Sequence, residues 1–235
     1  MTKKRTAVDV WLDRETDHVR RALENASRYF ARTDALTVNT LEAVYGRESR
    51  FGATQKKHGS TSAAGHFQLK PATAKQYGLF VSKKNDQRFD IDYASSVAAR
   101  FLKDLDGMFS KNTSLTKGST TIGVTDPLER VKFDLGAYNG GQGTIASAQR
   151  LAEEAGKDPQ SWADVQAFLQ SKTIDESAAD QIRQYVQRVL LCEAEFAIKS
   201  KADKNVKLKN PRKDGYRCTE GHWVTIDDRP VFICD

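Results

Sequence analysis

No stretch of this 235-residue chain approaches the roughly 20 consecutive apolar residues that a membrane-spanning helix needs. That argues against a helical membrane span. The start carries Lys3, Lys4 and Arg5 but lacks the apolar core of a signal peptide, so the chain is expected to be made in the cytoplasm without one. Cysteine is scarce, with three in the whole sequence. Cys192 lies beside Val189, Leu190 and Phe196 and reads as a core residue. Cys218 and Cys234 bracket the C-terminal segment, where they form a disulfide in an oxidising space, remain free thiols, or join His222 as metal ligands. The metal arrangement lacks a fourth ligand and matches no common zinc spacing, so neither metal nor cofactor is expected. Hydrophobic content is 39%, on the low side yet enough for a core. The length suits one domain of about 150 residues plus appendages.

What the chain does have begins at residue 38. Apolar residues at 38, 41, 44 and 45 share one face of a helix, which Asn39 or Thr40 could cap. Glu48 continues that stripe. A carboxyl on the buried side of a helix loses hydration, which favours its protonated form and lifts its pKa toward the range of a proton donor at neutral pH. The plainer alternative is a helix-terminal glutamate in solvent, paired with Arg47 or Arg50.

Glu48-Ser49 with Phe51, the run Ala63-Ala64-Gly65-His66-Phe67-Gln68-Leu69-Lys70-Pro71-Ala72-Thr73-Ala74, then Ala137-Tyr138-Asn139-Gly140-Gly141, and finally Tyr185-Val186-Gln187-Arg188-Val189-Leu190 follow one another in a set order. Together they resemble the four successive motifs of the soluble lytic transglycosylase family, relatives of goose-type lysozyme. The resemblance covers roughly residues 36 to 192. It implies a mainly α fold, a lysozyme-like helical domain with a substrate groove, and Glu48 as general acid/base. Ser49 is the residue beside that acid. Gln68, Tyr138 and Asn139 carry over as groove contacts and Tyr185 as a helix residue reaching the glutamate. Two departures stand out: a longer loop between Glu48 and Gln68, and His66-Phe67 where an aliphatic pair is usual. Both bear on substrate preference more than on catalysis.

The chemistry of a single acid is consistent with that assignment. Glycoside cleavage commonly uses two carboxylates. Asp90 and Asp92 are candidates for a second, although a helix start is the better use for them. One acid suffices if the 2-acetamido oxygen of N-acetylmuramic acid stabilises C1. Glu48 then protonates the bridge oxygen and later takes a proton from the C6 hydroxyl, giving a 1,6-anhydro end, or activates water as a lysozyme does.

Four segments are expected: an N-terminal helical segment (1–35), the lysozyme-like transglycosylase domain (36–198), a basic linker (199–217) and a small C-terminal β-hairpin tail (218–235). The polar loop 110–121, rich in Ser and Thr, is a groove lid or surface slack. The linker holds eight Lys or Arg and two Asp, a net of +6; elsewhere 29 basic residues balance 29 acidic ones. It is either a solvated spacer or an attraction to a polyanion at the cell surface or in packaged DNA; no nucleic-acid motif points to sequence-specific binding. The tail resembles short ends of phage structural proteins. The expected partners are therefore peptidoglycan glycan strands, together with phage virion proteins reached through the tail. The enzyme would act at the periplasmic or extracellular wall as a virion component, a virion-associated lysin or an endolysin. Two alternatives remain: a hydrolytic lysozyme, and a non-catalytic virion or wall-binding protein on the same scaffold.

Overall fold

The computed structural model describes residues 5–55, 59, 61–171, 174–208, 221–226 and 229–234, with side chains up to residue 200, Lys117 apart. The chain divides into two units, Met1–Phe196 and Ala197–Asp235.

In the first unit the helices are α1 (Ala7–Leu12), α2 (Asp17–Ser27), α3 (Val38–Ser49), α4 (Pro71–Gln76), α5 (Ile91–Phe109), α6 (Pro127–Gly140), α7 (Gln142–Glu154), α8 (Trp162–Val165) and α9 (Glu176–Leu208), the last of which runs on into the second unit. The N-terminal stretch is two helices rather than one. Thr16 starts the second by accepting the Val19 amide. Both add to one continuous core through Val8, Trp11, Ala22, Leu23 and Ala26. Gly46 of α3 is part of that packing, since a Cβ there would lie 2.4 Å from the Trp11 ring. Trp11 also stacks on Phe51 and on Phe196 of α9.

α5 is the central helix, burying Ile91, Ala94, Val97, Ala98, Leu102, Leu105 and Phe109 along one face. Asp90 caps it by accepting the amides of Asp92 and Tyr93, and Asp92 pairs with His18. These two carboxyls therefore serve a helix end, as anionic groups at an N-terminus do. α3 is capped by Thr37, not by Asn39 or Thr40. The Thr37 hydroxyl accepts the Thr40 amide, and the Thr40 hydroxyl accepts the Thr37 amide in return at 2.9 Å. At the base of the Ser/Thr-rich loop, buried Thr121 donates to the carbonyl of Met108 at 2.7 Å, which ties the loop to the end of α5.

A charge sits inside the core. Asp34, Lys103, Asp106 and Arg130 form a chain of ion pairs that runs from the segment before α3 through α5 to α6. Asp134 lies beside it, fully buried, with no hydrogen-bond partner for either carboxyl oxygen. Burial, reinforced by Asp106, holds its pKa well above the ordinary carboxylate range. An acid whose pKa rises on folding loses stability as pH climbs from its unfolded value through its folded one. The parent's stability is expected to fall between pH 4 and pH 8 more steeply than that of Asp134→Asn. The two stabilities, read by urea denaturation at each pH, should diverge steadily across that range. Parallel pH dependences would contradict a neutral Asp134.

In the second unit, Gly221–Ile226 and Arg229–Cys234 run antiparallel, with Gly221 opposite Cys234. Cys218 lies outside the described residues, and the side chains of His222 and Cys234 are not described, so the sulfur chemistry expected there stays an expectation.

Candidate active site

Glu48 occupies the last turn of α3, half-buried at the point where the helix must stop. The stop is abrupt. Arg50 and Phe51 both adopt left-handed backbone, at φ 52° and 55°, conformations that cost non-glycine residues of the order of 1 kcal/mol or more each. Packing holds them there: Phe51 is wedged between Tyr45 and Trp11, and Arg14 donates to the Arg50 carbonyl. Ser49 takes part in the same turn. It is fully buried, and its hydroxyl accepts the Gly52 amide at 3.0 Å. Ser49, the residue beside the acid, thus points into the fold. Adjacent positions on a helix point about 100° apart, so a serine next to an outward-reaching glutamate faces the core.

From α9, the Tyr185 hydroxyl donates to Glu48 Oε1 at 2.7 Å. Burial raises the Glu48 pKa to about 7, against the opposing pull of the Tyr185 bond and the Arg47 charge. Tyr138, near the end of α6, lies close enough for the Glu48 charge to raise its phenol further above a level that burial already elevates. Its hydroxyl donates to the Phe67 carbonyl at 2.9 Å, joining α6 to the loop that carries Gln68. Glu48, Tyr138 and Tyr185 thus form one cluster. Asn139 follows Tyr138, partly exposed in the final turn of α6.

Gln68 stands on the strand-like return Ala64 to Leu69, itself in left-handed backbone at φ 46°. Its amide nitrogen donates to the Gly65 carbonyl at 2.8 Å, which leaves the amide oxygen as an acceptor. Gly65 has no alternative residue, because its φ is +79° and a Cβ would fall 1.9 Å from the Arg88 carbonyl. Arg88 is the organiser of this loop, and nothing in the spacing of the sequence singled it out. Fully buried, it grips Asp86 with Nε and Nη2, at 2.9 and 2.7 Å, and donates from Nη1 to the carbonyls of Ser62 and Leu69. Burial pushes the Asp86 carboxyl up, but the bonds from Arg88 and the Gly59 amide outweigh it and hold the group below its usual range.

Among the described residues, no three His, Cys, Asp or Glu side chains converge as a metal site. Cys192 is partly buried against the core. What the arrangement offers is one carboxylic acid, neutral up to about pH 7, with one oxygen held by a phenol and the other open. Such a group can donate a proton and then, as a carboxylate, take one back.

Comparison with known proteins leads to the same place. The sequence profile of the transglycosylase SLT domain matches residues 25–161, a span that contains Glu48, Gln68, Tyr138 and Asn139. Similar proteins include the membrane-bound lytic murein transglycosylase F of Desulfosudis oleivorans, 28% identical over 129 residues, covering 55% of this chain and 24% of that protein. The protein of the same name from Marinobacter nauticus is 31% identical over 109 residues, covering 46% of this chain and 18% of its own. That from Thiobacillus denitrificans is 41% identical over 56 residues. The chain spans less than a quarter of the length of these curated relatives.

Proposed function

The chain belongs to the transglycosylase SLT domain family, and from that premise we propose that it is a lytic transglycosylase that cleaves the β-1,4 bond between N-acetylmuramic acid and N-acetylglucosamine in peptidoglycan. The observation that carries the proposal is the Tyr185–Glu48 bond at 2.7 Å beside a carboxyl whose pKa is raised to about 7. Tyr185 occupies Oε1, so the transferable proton resides on Oε2. That proton passes to the bridge oxygen as the glycosidic C1–O bond breaks. The substrate's acetamido oxygen bonds to C1 meanwhile. Glu48, now a carboxylate next to a phenol that stabilises its charge, accepts the C6 hydroxyl proton while O6 displaces the acetamido oxygen. The acid is regenerated and the sugar keeps a 1,6-anhydro ring. Gln68, Asn139 and the Tyr138 ring are the glycan contacts in this reading.

In the hydrolytic alternative the Glu48 carboxylate would activate water without help from a second acid, since Asp90 and Asp92 are engaged at the start of α5. Muropeptides released from purified sacculi are expected to end in 1,6-anhydro sugars, identified by mass spectrometry with and without borohydride reduction. Dominance of reducing ends would move the protein to the lysozyme class. No release at all would leave the non-catalytic binding role.

The finer reading is a phage lysin, virion-associated or released at lysis, in which the hairpin tail and the basic stretch 199–217 attach the enzyme to an anionic wall polymer or to virion proteins. The support is local charge, since that stretch carries the chain's whole excess of +6. Truncation after residue 198 should leave turnover of soluble glycan within about twofold while weakening association with whole walls. The wall-binding difference should shrink as salt shortens screening to roughly 8 Å. Equal wall binding by both forms in a sedimentation assay would remove the attachment role.

A further inference from the structure

The imidazole of His66, one of the chain's departures from the family pattern, joins three elements. Its Nδ1 lies 3.0 Å from the Tyr45 hydroxyl of α3 and 3.1 Å from the side-chain nitrogen of Gln55 in the following loop. Its Nε2 lies 3.0 Å from the carbonyl of Phe89, in the turn that precedes α5. A carbonyl only accepts, so Nε2 carries the hydrogen and Nδ1 is the bare acceptor of both Tyr45 and Gln55. The residue's own amide donates to the Arg88 carbonyl at 2.9 Å. Gly52 closes the space over the ring, since a Cβ there would stand 2.9 Å from the Tyr45 hydroxyl and 3.4 Å from Nδ1.

We propose that His66 is a positioning residue: its neutral Nε2–H imidazole locks the helix that carries Glu48 to the loop that presents Gln68, and its protonation opens that lock. The proposal rests on Glu48 as the acid of a glycan-cleaving site. Tyr45 sits one turn before Glu48 and Ser49, and Gln68 follows His66 by two residues, so a single ring fixes the distance between acid and amide. Protonation puts a hydrogen on Nδ1, where two donors already point. The Tyr45 hydroxyl must then swing its hydrogen away and accept, and the Gln55 amide nitrogen, a donor only, must leave the ring.

The groups around the ring set the direction of its titration. Burial disfavours the cation, and the Phe89 carbonyl and the Asp90 carboxylate on the α5 side oppose that, with the net shift downward. Tyr45 faces the ring from α3 with Glu15 behind it, and burial together with Glu15 keeps that phenol protonated throughout the working range. Gln55 is neutral. The Arg88 guanidinium is turned onto Asp86.

The test is the pH profile of kcat and KM for soluble glycan fragments, measured on the full chain, on His66→Asn and on His66→Phe. Asparagine sets an amide oxygen where Nδ1 lies and cannot titrate, whereas phenylalanine keeps a ring and loses every side-chain bond. The parent should lose activity on the acidic side, below pH 6.5, as the lock opens. His66→Asn should keep kcat within a few-fold at pH 7 and lose that acidic limb. His66→Phe should lower kcat about 10- to 100-fold, the scale of an ångström's misplacement. In both variants the alkaline limb that belongs to Glu48 should stay where it is. If His66→Phe fails to fold, His66→Asn decides alone through the acidic limb. A parent chain that releases nothing overturns the reading of the site on which this rests. An active parent whose acidic limb survives in His66→Asn overturns the role of His66 by itself.

Discussion

Replacing Glu48 by glutamine should reduce glycan release by 10²- to 10⁴-fold, the usual contribution of a positioned proton donor. The amide preserves the shape of the carboxyl and can still accept the Tyr185 hydroxyl on its oxygen, so the helix end and the contact to α9 survive. Only the transferable proton is gone. Folding supplies an internal control with a worked-out sign. The Glu48 pKa rises from 4.5 to about 7 in the folded chain. Folding therefore retains a proton that the unfolded chain has released, and the group's contribution to stability is lost as pH rises across that window. Glu48→Gln escapes that loss, so above pH 7 it should be the more stable chain by roughly 1–3 kcal/mol, allowing for the partial exposure of the site. A variant that is folded, equally stable at pH 8 and still retains more than about a tenth of parental activity would remove Glu48 from the reaction.

Arg88→Ala should be the most damaging single change to the fold of the site. It strands the buried Asp86 carboxylate and removes the guanidinium that draws the carbonyls of Ser62 and Leu69 together. Removing one partner of a buried ion pair costs about 3–5 kcal/mol. The loss falls on the loop that carries Gly65, His66 and Gln68, so glycan release should disappear together with stability. Replacing both partners separates the two effects. Arg88→Met combined with Asp86→Leu removes both charges and should regain most of the stability in urea denaturation. Activity should stay low, because nothing then gathers the carbonyls of Ser62 and Leu69 at one point. A stability loss below about 1 kcal/mol in Arg88→Ala would contradict a buried, uncompensated Asp86.

Helical periodicity at 38, 41, 44 and 45 leads directly to Glu48, because a 3.6-residue repeat is a local property that needs no partner. The cap was less legible. Thr37, Asn39 and Thr40 are all short polar residues near one helix start, and only the backbone turn at Thr37 decides among them. The inward turn of Ser49 follows from the rotation between neighbouring helix positions. Arg88 and Trp11 were not readable, since their partners lie far along the chain: Arg88 closes on Leu69 and Ser62, and Trp11 on Gly46, Phe51 and Phe196. Neither Arg50 nor Phe51 advertises left-handed backbone, because packing rather than residue preference enforces it. The ordered motifs brought Tyr138 and Tyr185 into view, and the geometry adds which oxygen each of their hydroxyls serves.

For the proposed reaction, one glutamic acid must enter with its proton on. The side-chain carboxyl carbon of Glu48, followed by carbon-13 NMR in the full chain across pH 3 to 10 and assigned by the signal missing in Glu48→Gln, tests it most directly. A midpoint near pH 7, matching the alkaline fall in glycan release, is the expected result. A midpoint at 4.5, the ordinary value for glutamate, would leave the group ionised at neutral pH and contradict its role as the acid.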